Sequence, residues 1–494
     1  MKATTGQVLR PAFHFTPQRN WMNDPNGLVY HHGLWHLYFQ YNPEGADWGN
    51  MSWGHATSTD LQHWTEHPVA LPYRDGEQIF SGSVVNSGTN DENHLTAIYT
   101  SAYDNGRQAQ SAATSNDGGF SWEVDADNPI LDRGTDCFRD PKVIRFVDQH
   151  GGEQWILLAV EAEPRQVLFY SSNDLRSWKY LSTFGPLGDE HVVWECPDLF
   201  PLALDDNPDD VRWVLTLSTN PIGDEANPEG SSMSYIVGSF NGVTFTSEAQ
   251  GLTRLDHGRD FYAGVTFSNA PGSSPIMLGW MSNWRYAHAI PSSPWRGAMS
   301  LPRVLSLRSV EGAPRLIQEP QAFIREQLTK ATPATLSTCA QPRVINSSSH
   351  ALLELTWTPS HTGSLRLQLK GDADAQVEIK HAPESNILTI TRSGTAAEAI
   401  HPDFPSTSAL ALSAAPSVRL LLSIDGPLLE IFANDGESTA SNLVILGTRT
   451  VGATLDTDRP SSVTLSAVDL QETAINPSKP QGELDRQTLS ITAN

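Results

Sequence analysis

The sequence predicts an all-β protein, a five-bladed β-propeller followed by a β-sandwich, and three observations lead there. The first is a repeat. Ser58-Thr-Asp60-Leu-Gln-His-Trp64 is echoed by Ser115-Asn-Asp117-Gly-Gly-Phe-Ser-Trp122 and by Ser172-Asn-Asp174-Leu-Arg-Ser-Trp178, and more weakly by Ser239-Phe-Asn241-Gly-Val-Thr-Phe245. The closing aromatics lie 58, 56 and 67 residues apart, room for four strands and their turns, which is one blade. The second is tryptophan: 13 of the 14 fall between Trp21 and Trp295, and only Trp357 follows. The third is the change of texture after about residue 335. There, period-two runs such as Leu353-Glu-Leu-Thr-Trp357, Ser364–Leu369, Gln376–Ile379 and Ile387–Thr391 alternate with turn residues.

Taken in order, the first element is the propeller, residues 1–318. Its repeats are structural: the Ser and Asp side chains cap backbone amides in the turns, and each aromatic packs between blades. Residues 319–334 form a linker with a short helix, Gln321–Leu328, opened by Pro320. Residues 335–494 form the sandwich.

Composition narrows the function. With 32 Lys and Arg against 56 Asp and Glu, the formal charge of −24 argues against nucleic acid and anionic membrane partners and suits a neutral or cationic ligand. No apolar run has membrane-spanning length. Three cysteines, Cys137, Cys196 and Cys339, are too few for a disulfide framework and lack metal-ligand spacing. No cofactor or metal is expected. His31, His32 and His36 read as strand-surface residues, and the Asp205-Asp206 and Asp209-Asp210 runs as solvated loop charge rather than a calcium site. Oligomeric state is left open by the sequence.

A propeller gathers its ligand site at the mouth of the central channel, so catalytic carboxylates should be scattered, about one per blade. Three acids stand in unusual contexts. Asp24, in Trp21-Met-Asn-Asp-Pro-Asn-Gly27, is held extended by Pro25. Asp140, in Phe138-Arg-Asp-Pro141, has Arg139 beside it to keep it ionised. Glu195, in Val193-Trp-Glu-Cys-Pro-Asp198, sits between Trp194 and Cys196, where desolvation would raise its pKa and suit a proton donor. Singly, each is equally well a turn residue, a buried ion pair or a strand-end acid. Jointly they supply an ionised nucleophile, an acid/base and a further carboxylate, the set that retaining glycoside cleavage needs.

These three motifs in this order resemble the signatures of glycoside hydrolase family 32, the invertases, levanases and exo-inulinases. The resemblance extends through Trp53-Gly-His55, Phe80-Ser-Gly-Ser83, Asp260-Phe-Tyr-Ala263, Asn283–Ala287, Trp295-Arg-Gly297 and Ser300-Leu-Pro-Arg303, and into Leu429–Gly436 of the second domain. It implies that Asp24 is the nucleophile, Glu195 the acid/base and Asp140 the residue that binds fructose hydroxyls and stabilises the transition state. It also implies that Asn23, Gln40, Trp48, Phe80, Ser81, Arg139 and Trp284 surround the fructose. The expected activity is exo-acting β-fructofuranosidase on sucrose and terminal fructose of fructans, with transfructosylation available, on neutral fructose-containing saccharides. The stretch Asn42–Trp53 is closer to the exo-inulinase, levanase and invertase branch than to sucrose-6-phosphate hydrolases. A secreted mature chain is expected by analogy with that branch, with a cytoplasmic one the alternative. Two rivals remain: a sialidase-like hydrolase, since Ser115–Trp122 resembles an Asp-box, and a fructan-binding lectin without catalysis.

Overall fold

The computed structural model describes residues 8–87, 93–223, 227, 229–338, 341–359, 363–371, 374–446 and 450–470. Cys339 and the end of the chain beyond 470 lie outside the described residues. The described chain is nearly all β, arranged as an N-terminal propeller and a C-terminal β-sandwich.

The N-terminal part contains five sheets in which spatial order follows chain order. Sheet 1 holds Asn20–His31, Leu34–Asn42, Ser52–Ser58 and Trp64–Leu71, with Trp295–Arg296 added in parallel beside its first strand. Sheet 2 runs from Glu77–Asn86 to Glu123–Val124, and sheet 3 from Phe138–Val147 to Lys179–Phe184. Sheet 4 starts at Val192–Ala203 and reaches Phe245–Ser247; sheet 5 starts at Tyr262–Thr266 and ends with Ala313–Pro320. The first strand of each sheet packs on that of the next, and the fifth returns to the first. Five apolar clusters fill the gaps between neighbouring sheets. Tyr38 and Trp53 meet Tyr99 between sheets 1 and 2, for example, and Trp194 meets Phe169 between sheets 3 and 4.

The repeated turns join the third strand to the fourth in sheets 1 to 4. Ser58 Oγ accepts from the Leu61 amide at 2.8 Å, and Asp60 Oδ1 accepts from the Gln62 and His63 amides at 2.9 and 2.8 Å. Ser172 and Asp174 make the same bonds to the amides of Leu175 and Ser177. The turn needs a left-handed residue after the Asp: Leu61 and Leu175 adopt φ of 64° and 61°, and Gly118 takes that position at 75° without a Cβ penalty. Trp122 and Trp178 pack against inter-sheet clusters, as their spacing predicts.

Two of the histidines differ from expectation. His31 and His36 are buried, and only His32 is exposed. His36 Nδ1 lies 3.1 Å from His55 Nε2, and the two rings stack nearly parallel. Strand alternation marks one face as outward only where that face meets water; in stacked sheets both faces are covered. Burial pushes His36 down to about 4 and holds it neutral.

The helix spans Ala322–Leu328, capped by the Gln321 side chain and anchored by Ile324 and Leu328. Pro320 ends the last strand of sheet 5 instead of opening the helix. Beyond it, two six-stranded sheets enclose one apolar core that includes Trp357, Leu367, Ile379, Leu422 and Ile431. The sandwich is fastened to the propeller by buried charge. Arg303 donates to Asp256 at 2.9 Å and to Glu430 at 2.6 Å, and His14 bridges Asp425 at 2.7 Å and Glu430 at 3.0 Å. Gly258 packs directly on Ser441, where a Cβ would stand 2.0 Å from the carbonyl oxygen. Gly258→Ala is therefore expected to lower the melting temperature by several degrees in differential scanning calorimetry, because the Ser441 atoms it would meet are all backbone and cannot swing aside.

Candidate active site

The three acids stand on the first strands of three sheets: Asp24 in Asn20–His31, Asp140 in Phe138–Val147 and Glu195 in Val192–Ala203. Ser81 and Tyr262 come from the first strands of the other two sheets. Each of these strands breaks its register at that point, between Met22 and Pro25, Ile79 and Gly82, Arg139 and Lys142, Glu195 and Asp198, and Tyr262 and Val265. A bulge re-aims side chains and leaves ladder positions unpaired, which is where a proline inside a strand is tolerated. Pro25, Pro141 and Pro197 occupy three of the five. Asp140, Cys196 and Ala263 have φ of 62°, 47° and 52°, a strained arrangement concentrated at one spot.

Hydrogen bonds join the acids. Asp24 Oδ2 accepts from Ser81 Oγ at 2.7 Å and from the Cys196 thiol at 3.4 Å, and Oδ1 accepts from Asn23 Nδ2 at 3.0 Å. Trp21 Nε1 fixes Asn23 by donating to its Oδ1 at 2.7 Å. The Cys196 amide donates to Asp140 Oδ2 at 3.0 Å, and the Asp140 amide donates to Thr100 Oγ1 at 2.9 Å. Glu195 is held between Arg139 Nη2, at 2.8 Å, and the Tyr262 hydroxyl.

Burial raises the pKa of Asp24, opposed by the donors Ser81 and Asn23 and reinforced by the charge of Glu195. Asp140 is raised as well, first by burial. Arg139 does lower it, as expected, but burial outweighs that pull, so Asp140 is not held low. The Arg139 guanidinium approaches Asp140 only to 3.9 Å and spends its short hydrogen bond on Glu195. Trp194 does not wall Glu195 either. Consecutive strand residues point to opposite faces, so the indole enters the core between sheets 3 and 4 and stacks near Phe184.

The remaining expected residues gather around this cluster. Phe80 and Trp284 pack with Trp21, Met51, Cys196, Tyr262 and Trp280. Trp284 stacks on Trp21 at 5.9 Å, and Trp48, 48% exposed, stands edge-on to Phe80 at 6.0 Å on the rim. Gln40 is buried below, donating to the Ile79 carbonyl at 3.0 Å. Sequence reasoning gave no role to Tyr262 or to the Cys196 thiol; the signals were present in Asp260-Phe-Tyr-Ala263 and Trp-Glu-Cys-Pro. Tyr262→Phe is expected to lower kcat about tenfold and to move one limb of the pH–rate profile, since it removes a hydrogen bond to an ionisable group at the site. Steady-state rates from pH 4 to 8 check this.

Among the described residues no group of three His, Cys, Asp or Glu side chains is arranged to hold a metal ion, and no helix is long and apolar enough to cross a membrane. Asp205 is bonded to Ser309, and Asp210 to Arg212.

Residues 14–320 match the glycosyl hydrolases family 32 N-terminal domain, and residues 315–468 match the glycosyl hydrolases family 32 C-terminal domain. The chain is 37% identical over 458 residues to a levanase of Bacillus subtilis, covering 88% of this chain and 66% of the levanase. An extracellular exo-inulinase of Aspergillus ficuum is 35% identical over 488 residues, with 88% of this chain and 89% of the inulinase covered. Among solved structures, exo-inulinase from Aspergillus awamori superposes with a TM-score of 0.86 at 31% identity, covering 94% of this chain and 98% of that one. Fructofuranosidase from Schwanniomyces occidentalis complexed with fructose gives 0.84 at 29%, covering 95% and 100%.

Proposed function

The chain belongs to glycoside hydrolase family 32, and from that premise we propose that it is a retaining, exo-acting β-fructofuranosidase of sucrose and fructan ends. The observation that carries this reading is the convergence of Asp24, Asp140 and Glu195 at strand bulges, tied together through Cys196. Asp24 is the nucleophile: three donors orient its oxygens and favour its charged form, and Oδ2 attacks the anomeric C2 of the fructosyl unit. Glu195 gives its proton to the leaving oxygen as the C2–O bond breaks, so glucose or the shortened fructan departs neutral. In the second step Glu195 takes a proton from water, whose oxygen displaces Asp24 and releases fructose. Arg139 and Tyr262 hold Glu195 in place for both transfers, and Asp140 binds fructose hydroxyls beside the developing positive charge. Asn23, Gln40, Trp48, Phe80, Ser81 and Trp284 enclose the ring.

A sugar hydroxyl can replace water in the second step, so the same cycle supports transfructosylation. The five sheets read as the five blades, with the sandwich following the helix Ala322–Leu328. The extracellular names of the relatives support a secreted enzyme. A sialidase-like reading would want free guanidinium groups for an anionic sugar, and Arg139, which touches the acids, is already paired with Glu195.

Product analysis tests the proposal. Release of fructose alone from the ends of inulin and levan, and of fructose plus glucose from sucrose, is the expected result; internal fructan fragments or intact substrates would overturn it. Glu195→Gln should lose at least a hundredfold on sucrose but far less on a fructoside with an activated leaving group, because only the first needs a proton. Equal losses on both substrates would reject Glu195 as the acid.

A further inference from the structure

We propose a second carbohydrate site, for an internal segment of a neutral β-fructan chain, at the end of the central channel opposite the acids; it rests on the reading above. A cavity of about 500 Å³ opens there, within the size range of small-ligand sites. The first strands that carry Asp140 and Glu195 continue into it. Asp140 and Arg145 are five residues apart on one strand, which places the outer wall of the cavity about 16 Å from Asp140.

Its lining is that of a sugar site. Trp155 and Trp213, from the second strands of sheets 3 and 4, are half-buried and line the cavity. Pyranose and furanose faces stack on such rings while their hydroxyls stay hydrated. Asn86, Ser268 and Asn269 add amide and hydroxyl groups to the wall. The cations at the lining are neutralised: Arg145 is bonded to Glu153, and Lys142 lies 3.1 Å from Asp198. An uncharged polyol is thus favoured over a phosphate or carboxylate ligand.

The site is closed off from the acids. Lys142 Nζ donates to the Thr266 carbonyl at 2.6 Å, and Asp198 Oδ2 accepts from the Thr266 amide and hydroxyl at 2.6 and 2.7 Å. Lys142 and Thr266 line both this cavity and a small void beneath Asp140 and Cys196, so this buried cluster forms the partition between them. A chain held at the far mouth cannot reach Asp24 through the channel. It would keep a polymer near the enzyme while a free end enters the catalytic mouth, raising the effective concentration of ends.

The experiment compares full-length Asp24→Asn, which does not turn over fructan, with the same chain carrying Trp155→Ala or Ser273→Trp. Ser273 is exposed on the cavity rim, so the added indole blocks the mouth without emptying the core. The probes are long-chain inulin in affinity electrophoresis and sucrose in calorimetric titration. The expected result is inulin retardation weakened at least threefold in both variants, with sucrose affinity unchanged. Unchanged inulin retardation in folded Ser273→Trp, or parallel loss of sucrose binding in both, would overturn the proposal. If wild-type enzyme released no fructose from sucrose, the catalytic reading would fail instead, and the inulin comparison would still report on the far cavity.

Discussion

Asp24→Asn should lower kcat for sucrose by about 10⁴-fold or more, with the protein folded and at least as heat-stable as wild type. The size of the loss follows from the proposed double displacement: without a carboxylate oxygen to attack C2, that mechanism forms no covalent intermediate, and removing a nucleophile costs on this order. The stability expectation follows from the surroundings. Asp24 is buried against Cys196, its charged form is disfavoured by burial, and Glu195 adds like charge. An amide of the same shape removes that conflict and keeps the Ser81 bond, which offsets the loss of the acceptor for Asn23 Nδ2. Initial rates and calorimetric melting on the same preparation check both halves. A variant retaining a tenth of wild-type activity would remove Asp24 from the nucleophile's role.

The second large effect lies far from the acids. Arg303→Met is expected to destabilise the protein by about 3–5 kcal/mol, because it strands two buried carboxylates. Arg303 is fully buried, donates to Asp256, Gln318, Glu430 and Ser441, and stacks its guanidinium 4.0 Å above the Phe261 ring. For domains of this size the loss corresponds to roughly 10 °C in melting temperature. Adding Glu430→Gln should restore part of it, since the two groups interact directly.

The same network has a pH signature. His14 is raised to about 9 by its bonds to Asp425 and Glu430, which outweigh its burial. A group whose folded pKa exceeds its unfolded one binds its proton more tightly when folded. Its contribution is complete below about pH 6.5 and is lost as pH rises towards 9. Melting temperature should therefore fall from pH 7 to 9.5 in wild type, and fall less in His14→Gln. Parallel curves would show that His14 carries no charge in the folded state.

Much of this architecture was legible in the chain because it is built from local order. The Ser-x-Asp turns satisfy their own amides within a few residues, so they write a period into the sequence wherever the third strand meets the fourth. The alternating runs after residue 350 fall on strands such as His350–Trp357 and Ile387–Ser393 for the same reason. Asp24 and Asp140 are each followed by proline, and the bulges that prolines inside these strands occupy, Pro197 after Cys196 included, are what the structure adds.

What failed were inferences from adjacency. Adjacency pairs Arg139 with Asp140 and Trp194 with Glu195; the first pair exists but at 3.9 Å, and the second does not. In the folded chain Arg139 reaches 56 residues along to Glu195, while Trp194 turns away into the core. His31 and His36 are buried although their strands alone read as surface, because one strand cannot show that a second sheet covers its outer face. The repeat, the sandwich and the three acids that the structure brings together could be read from the chain alone, because they rest on local periodicity or on residues with unusual backbone demands. Only the tertiary structure decided which groups share a proton, a charge or a cavity. Those pairings join first strands some sixty residues apart, and closure of the ring sets them rather than position along the chain.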